Sequence, residues 1–149
     1  MLDANAFDFI VDRGIDPKAV RRLGDICITT VQHGELLDVP DPRRRKRLLD
    51  ALAAIDPTVR PASLAVRPDD PHRRGHGTGE RRSADVAHRL RGATRRSAKW
   101  KDAAIGEAAD LEGCILVTDD RRFRQRAAEL GVPVSSCEEA FSELLPRRG

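Results

Sequence analysis

The sequence lacks the features of a membrane protein and those of a disulfide-stabilised one. Residues 1–9 contain no basic segment followed by a long apolar run, and no apolar stretch approaches the length that spans a bilayer. The three cysteines, Cys27, Cys114 and Cys137, are an odd number without metal-ligand spacing, which argues against a disulfide framework or a zinc site. We expect a cytoplasmic protein whose cysteines are small buried hydrophobes, a catalytic thiol being the alternative.

Charge is distributed unevenly along the chain. Residues 43–100 contain 16 Lys and Arg against 6 Asp and Glu, whereas residues 1–42 contain 4 against 8 and residues 101–149 contain 7 against 10. A basic middle segment favours a polyanionic substrate or partner. The length of 149 residues with 40% hydrophobic residues predicts a single domain over 1–149. Its Pro-, Gly- and Arg-rich stretch at about 60–82 is typical of a mobile basic loop.

Short apolar runs alternate with helical patterns from one end of the chain to the other. The predicted strands are Met1–Asp3, Asp25–Thr30, Ser63–Val66, Cys114–Thr118 and Val132–Val134. The predicted helices are a stretch through Phe7, Ile10 and Val11 to Gly14, one from Asp16 to Gly24, Val31–Val39, Arg43–Ile55, Ser83–Arg95, Ser97–Glu112, Arg121–Leu130 and Glu138–Leu145. This alternation predicts a three-layer α/β/α domain whose central, mainly parallel sheet has four or five short strands.

Four carboxylates lie where a strand passes into a helix or in the first turns of a helix: Asp3, Glu35, Asp102 and Asp120. Ligands bind outside the carboxyl ends of parallel strands, so we expect these side chains to converge at one edge of the sheet. Clustered carboxylates repel one another unless a cation neutralises them, and oxygen ligands select hard cations such as Mg²⁺ or Mn²⁺. Taken singly, an Asp that follows a strand is more often an ordinary helix cap than a catalytic residue.

Each of the four carboxylates belongs to a short motif, and the motifs occur in the order found in one protein family. They are Leu2-Asp3-Ala4-Asn5-Ala6-Phe7, Ile28-Thr29-Thr30 running into Glu35-Leu36-Leu37, Asp102-Ala103-Ala104-Ile105-Gly106-Glu107-Ala108-Ala109 and Leu116-Val117-Thr118-Asp119-Asp120-Arg121-Arg122-Phe123. Together they resemble the motifs of PIN-domain ribonucleases, and the size and layout resemble the VapC-type toxins of bacterial toxin–antitoxin pairs. The resemblance covers most of the chain except residues 57–96.

The resemblance implies a PIN-like fold and a metal-dependent endoribonuclease that hydrolyses RNA phosphodiester bonds. It implies Mg²⁺ or Mn²⁺ ligands, direct or through water, at Asp3, Glu35, Asp102 and Asp120. Asn5 and Thr118 would not bind the metal but would orient these ligands and waters through hydrogen bonds. Asp119 competes with Asp120 for the fourth position, and the register of the motif favours Asp120. An RNA substrate, a cognate antitoxin protein and a homodimer are the implied partners.

Some features of the chain leave alternatives open. Arg43, Arg44 and Arg45 would bind RNA phosphates or an acidic partner, or they form a solvated helix start. Lys99-Trp100-Lys101 precedes Asp102 where relatives often have smaller or acidic residues. Besides the toxin ribonuclease, the alternatives are a non-catalytic PIN-fold module that binds nucleic acid or protein, and a housekeeping RNA-processing nuclease.

Overall fold

The structure, a computed structural model, describes residues 1–62 and 97–145 of the chain. They form a mixed α/β arrangement of short strands and longer helices. In chain order the elements are α1 (Ala4–Arg13), α2 (Pro17–Arg21), β1 (Cys27–Thr29), α3 (Thr30–Leu37), α4 (Pro42–Ile55), β2 (Thr58–Arg60), α5 (Ser97–Leu111), β3 (Leu116–Val117), α6 (Arg121–Glu129), β4 (Val134–Ser135), α7 (Cys137–Ala140) and a 3₁₀ helix (Ser142–Leu144). None of the described helices is long and apolar enough to cross a membrane.

The described residues contain two small parallel sheets, each with two strands. β1 pairs with β2, and β3 pairs with β4. Residues 1–3 lie between the two sheets and bond to both. The Leu2 amide donates to the Cys27 carbonyl at 2.9 Å, the Asp3 amide donates to the Val117 carbonyl at 3.0 Å, and the Val117 amide donates to the Met1 carbonyl at 2.9 Å. Because of these bonds, Asp3 lies beside the carboxyl end of β3.

The starts of α2 and α3 follow from local sequence, as predicted. Asp16 precedes Pro17 at the first position of α2, and its side chain accepts a hydrogen bond from the Lys18 amide. At the start of α3, Thr29 and Gln32 form a capping box, in which each side chain accepts from the other residue's backbone amide. The cap at Thr29 fixes where the chain turns from β1 to α3, and so where Glu35 falls within α3.

Helix α5 is buried along most of its length. Its small residues are fully or almost fully covered: Ala103, Ala104, Ala108 and Ala109 are each 0–4% exposed. Small side chains let a helix lie close to neighbouring elements, as the sequence predicted for this segment. The close packing holds the first turns of α5, with Lys101 and Asp102, against the rest of the domain.

Several predictions about elements were wrong or incomplete. Strand β2 was not predicted, and Arg60 ends it rather than opening a loop. Helix α2 ends at Arg21, ahead of Gly24, and the predicted terminal helix is divided into α7 and the 3₁₀ helix. Cys114 is only partly buried, and its Sγ lies 3.4 Å from Sγ of the buried Cys27. The predicted strand at Ser63–Val66, the helix at Ser83–Arg95 and most of the predicted loop at 60–82 lie outside the described residues.

Candidate functional site

Asp3 is the most buried of the four carboxylates, at 8% exposed. Its Oδ1 accepts from the Ala4 amide at 2.8 Å, so the side chain caps α1. Burial raises the pKa of Asp3, and the negative charges of Glu35 and Asp120 raise it further, against the lowering effect of its hydrogen bonds with Thr118 and Ala4. Asp3 therefore caps a helix, and its ionised form is disfavoured by burial and by the neighbouring carboxylates.

Two neutral side chains hold the second oxygen of Asp3. The Thr118 hydroxyl donates to Asp3 Oδ2 at 2.7 Å, and Asn5 Nδ2 donates to the same atom at 2.9 Å. Asn5 Nδ2 also lies 3.1 Å from Thr118 Oγ1, which in addition accepts from the Asp120 amide at 3.1 Å. Asn5 and Thr118 thus fix the orientation of Asp3 and connect it to the turn that holds Asp120.

Glu35, on α3, is paired with a basic residue that the sequence did not single out as functional. Lys101 Nζ, on α5, donates to Glu35 Oε1 at 2.8 Å. Both side chains keep partial contact with solvent, at 40% exposure for Lys101 and 29% for Glu35. Its position next to Asp102 in the chain was the one sequence feature that placed Lys101 near the site. Its partner Glu35 lies 66 residues away, so the ion pair could not be read from the sequence.

Asp102, also on α5, is paired with Arg126 of α6. Arg126 Nη2 donates to Asp102 Oδ2 at 3.0 Å, while the Arg126 Nε is buried with no hydrogen-bond partner within the described ranges. Burial raises the pKa of Asp102 to about 6; Arg126 lowers it, and the charges of Asp120 and Asp3 raise it. The arginine therefore does not compensate fully for burial and for the neighbouring carboxylates. Nothing in the local sequence of α6 indicated Arg126.

A cleft of about 520 Å³ brings three of the four predicted carboxylates together. Asp3, Glu35 and Asp102 line it, together with Asn5 and Lys101. Asp120 is not among the lining residues, although its charge acts on both Asp3 and Asp102. Three of the four predicted side chains therefore line one cleft, and they come from the residue that precedes α1, from α3 and from α5.

The two candidates for the fourth acidic position have different roles. Asp120 Oδ1 caps α6 by accepting from the Arg122 and Phe123 amides, each at 2.9 Å. Asp119 Oδ1 accepts from the Cys137 amide at 2.9 Å, and its charge helps to raise the pKa of the Cys137 thiol, behind the larger effect of burial. Of the two, Asp120 is the one whose charge reaches Asp3 and Asp102.

The carboxylates of the cleft are suitable ligands for a hard divalent cation, but two of them form ion pairs with basic side chains. Carboxylate oxygens are the ligands that Mg²⁺ and Mn²⁺ prefer. Across residues 1–62 and 97–145, however, no three His, Cys, Asp or Glu side chains are arranged so that together they hold a metal ion. Instead, Glu35 forms an ion pair with Lys101, and Asp102 forms one with Arg126. A metal bound by Glu35 and Asp102 would therefore compete with two basic side chains.

The predicted RNA-binding arginines at the start of α4 include one that is already engaged. Arg44 forms ion pairs with Asp8 and Asp12 of α1, including a 2.8 Å bond from Nη2 to Asp12 Oδ2. These carboxylates raise the pKa of Arg44. Arg45 donates to the Val39 carbonyl at 3.2 Å. Arg44 thus ties α4 to α1, which leaves Arg43 as the residue of this group with no side-chain contact described.

Comparison with known proteins gives one partial likeness. A stretch of 47 residues is 40% identical to ribonuclease VapC9 of Archaeoglobus fulgidus, and it covers 30% of this chain and 35% of that relative. The chain therefore matches about a third of the relative's length. No family model matches the chain, and no solved structure matches it. The likeness is to a ribonuclease and is confined to a minority of both chains.

Proposed function

We propose that this protein is a metal-dependent endoribonuclease that hydrolyses RNA phosphodiester bonds, and that it is the toxin of a type II toxin–antitoxin system. The observation that carries the proposal is the cleft lined by Asp3, which precedes α1, by Glu35 of α3 and by Asp102 of α5. The partial identity to ribonuclease VapC9 supports the same activity. An RNA substrate, a cognate antitoxin, a homodimer and a cytoplasmic location belong to this proposal and rest on the family resemblance.

A PIN-like fold is part of the proposal. We propose that the two small sheets form one parallel sheet in the order β4, β3, residues 1–3, β1 and β2. Support comes from the hydrogen bonds by which residues 1–3 join β1 on one side and β3 on the other, including the parallel bridge between Leu2 and Val117. This order would place Asp3 at the middle of the sheet, at the carboxyl edge where ligands of parallel sheets bind.

Each residue of the cleft would have a defined task in hydrolysis. Glu35 and Asp102 would ligate Mg²⁺ or Mn²⁺ beside Asp3, with Asp120 contributing from the rim. When bound, the metal supplies activation of a water for in-line attack on phosphorus and stabilisation of the developing charge. Asn5 and Thr118 would keep Asp3 in one orientation, because both donate to its Oδ2. Partial burial of the site would strengthen these electrostatic interactions.

A non-catalytic binding module on the same fold is the second candidate. A specific observation favours it: Lys101 and Arg126 already form ion pairs with Glu35 and Asp102. The carboxylates then have partners without a metal, and the argument from their repulsion is weaker. The raised pKa of Asp102 favours the metal-dependent enzyme, because the ionised carboxylate is still unfavourable beside Arg126.

The structure identifies Glu35 as the best position for a test. Asp3 and Asp120 also cap helices, so changing either confounds activity with folding. Glu35→Gln keeps an oxygen that can accept from Lys101, and Glu129→Gln makes the same change at an exposed residue of α6 outside the cleft. We expect Mn²⁺-dependent cleavage of RNA by the wild type and the Glu129 variant, and loss of cleavage in Glu35→Gln. Equal cleavage by all three proteins would refute the assignment.

A further inference from the structure

Lys101 is a basic residue inside an acidic cleft. It lines the cleft with Asp3, Glu35 and Asp102, and its ammonium group lies 2.8 Å from Glu35 Oε1. Asp8, the other carboxylate of the lining, is bound by Arg44 instead. Among residues 1–62 and 97–145, Lys101 is therefore the basic residue that lines the cleft beside the three proposed metal ligands.

The ion pair between Lys101 and Glu35 is a weak structural element but an effective competitor for a metal. Both side chains are partly exposed, and pairs of this kind contribute little to the stability of a fold. A divalent cation in the same cleft would meet two obstacles: the ammonium repels it, and one of its oxygen ligands is already occupied. Metal binding at Glu35 therefore competes with the bond from Lys101 Nζ to Glu35 Oε1.

We propose that Lys101 is a positioning residue that acts as the resident counter-ion of Glu35 and weakens binding of a divalent cation in the cleft. In the metal-free protein its ammonium holds the Glu35 carboxylate. When the cation enters, Glu35 passes from Lys101 to the metal. This inference rests on the proposed function, because it concerns the affinity of the same site for the same class of ion.

Two substitutions at Lys101 separate this role from a structural one. Lys101→Met removes the charge but keeps the length of the side chain, whereas Lys101→Arg keeps the charge. Lys46→Met is the matched control: Lys46 forms a similar ion pair, with Asp50 at 2.7 Å, on the exposed side of α4 and outside the cleft. A residue that only ties α3 to α5 would change stability in the Met variant and leave metal affinity unchanged.

The experiment measures Mn²⁺ binding to the RNA-free protein by the electron paramagnetic resonance signal of free Mn²⁺. Trp100 gives a second, local signal, since it is the single tryptophan of a chain without tyrosine, is 41% exposed and precedes Lys101. Paramagnetic Mn²⁺ bound nearby should quench its fluorescence. We expect about three- to tenfold tighter binding to Lys101→Met, and values within about twofold of wild type for Lys101→Arg and Lys46→Met.

The possible outcomes distinguish this inference from the function on which it rests. Equal or weaker Mn²⁺ binding by Lys101→Met, in a protein that does bind Mn²⁺, would overturn the counter-ion role and leave the metal-dependent function standing. Tightening of the same size in Lys46→Met would also overturn it, because the effect would then come from net charge. Absence of Mn²⁺ binding in every variant would overturn both the inference and the metal-dependent function.

Discussion

Replacing Asp102 by asparagine is expected to stabilise the metal-free protein. Burial raises the pKa of this carboxyl from 3.8 to about 6 despite its bond to Arg126. At pH 8 the ionised carboxylate is thus less favourable in the folded protein than in the unfolded chain, by at most about 3 kcal/mol. Asparagine removes this charge and keeps an oxygen that accepts from Arg126. We expect the free energy of unfolding to rise by about 1–3 kcal/mol.

The pH dependence gives the same prediction a sharper form. A raised carboxyl pKa means that the folded protein binds more protons than the unfolded chain between pH 3.8 and about 6. The contribution of Asp102 to stability therefore falls as pH rises through this window. The difference between Asp102→Asn and wild type should be small near pH 4 and should reach its full size above about pH 6.

Urea unfolding at a series of pH values, with EDTA present, measures this difference. Asp50→Asn is the control, because Asp50 forms an exposed i,i+4 pair with Lys46 and its loss should change stability by about 0.5 kcal/mol or less. Destabilisation by Asp102→Asn at pH 8, or a difference that does not vary with pH, would refute the reasoning. Asp102 would then be a structural partner of Arg126. Added Mn²⁺ should stabilise the wild type more than the variant.

Three further predictions concern ion pairs and hydrogen bonds of single side chains. Arg44→Met should lower the free energy of unfolding by about 1 kcal/mol in urea, because α4 loses its ion pairs with α1, whereas an equal loss in Arg43→Met would contradict that explanation. Thr118→Val should cost about 1–3 kcal/mol in the same assay, since the buried hydroxyl bonds Asp3, while Thr118→Ser should cost less; equal costs would argue against the hydroxyl. Glu139 has a pKa below its usual 4.5 because it accepts hydrogen bonds from Ser136, so its contribution to stability is present above pH 4.5 and is lost as pH falls through the lowered pKa. Thermal melts between about pH 3 and 6 should therefore show a smaller acid loss for Glu139→Gln than for wild type, and identical profiles would contradict this.

The elements that the sequence predicted well are those with local signals. Thr29 caps α3 through its own hydroxyl, and Pro17 suits the first turn of α2, so both helix starts are readable from neighbouring residues. Strand β2 has no such signal. Its three residues are all exposed, and prolines flank it at positions 57 and 61, so its pairing with β1 depends on tertiary structure rather than on an apolar pattern.

The same distinction applies to the candidate site. Strand ends and helix starts placed Asp3, Glu35 and Asp102 at one edge, and the structure brings these three to one cleft. The pairing of Glu35 with Lys101 and of Asp102 with Arg126 joins residues 66 and 24 positions apart. These partners depend on how α3, α5 and α6 pack together. A local sequence pattern does not predict that packing. These ion pairs matter for the site, because each of these two carboxylates has a basic partner in addition to its acidic neighbours.

Metal-dependent RNA cleavage is the most direct test of the account. Purified wild type, Glu35→Gln and Glu129→Gln would be incubated with a mixed-sequence single-stranded RNA in Mg²⁺, in Mn²⁺ and in EDTA, after circular dichroism has established that all three are folded. We expect cleavage by the wild type and Glu129→Gln with either metal, no cleavage by Glu35→Gln, and none by any protein in EDTA. Cleavage that persists in EDTA or in Glu35→Gln would contradict the central claim.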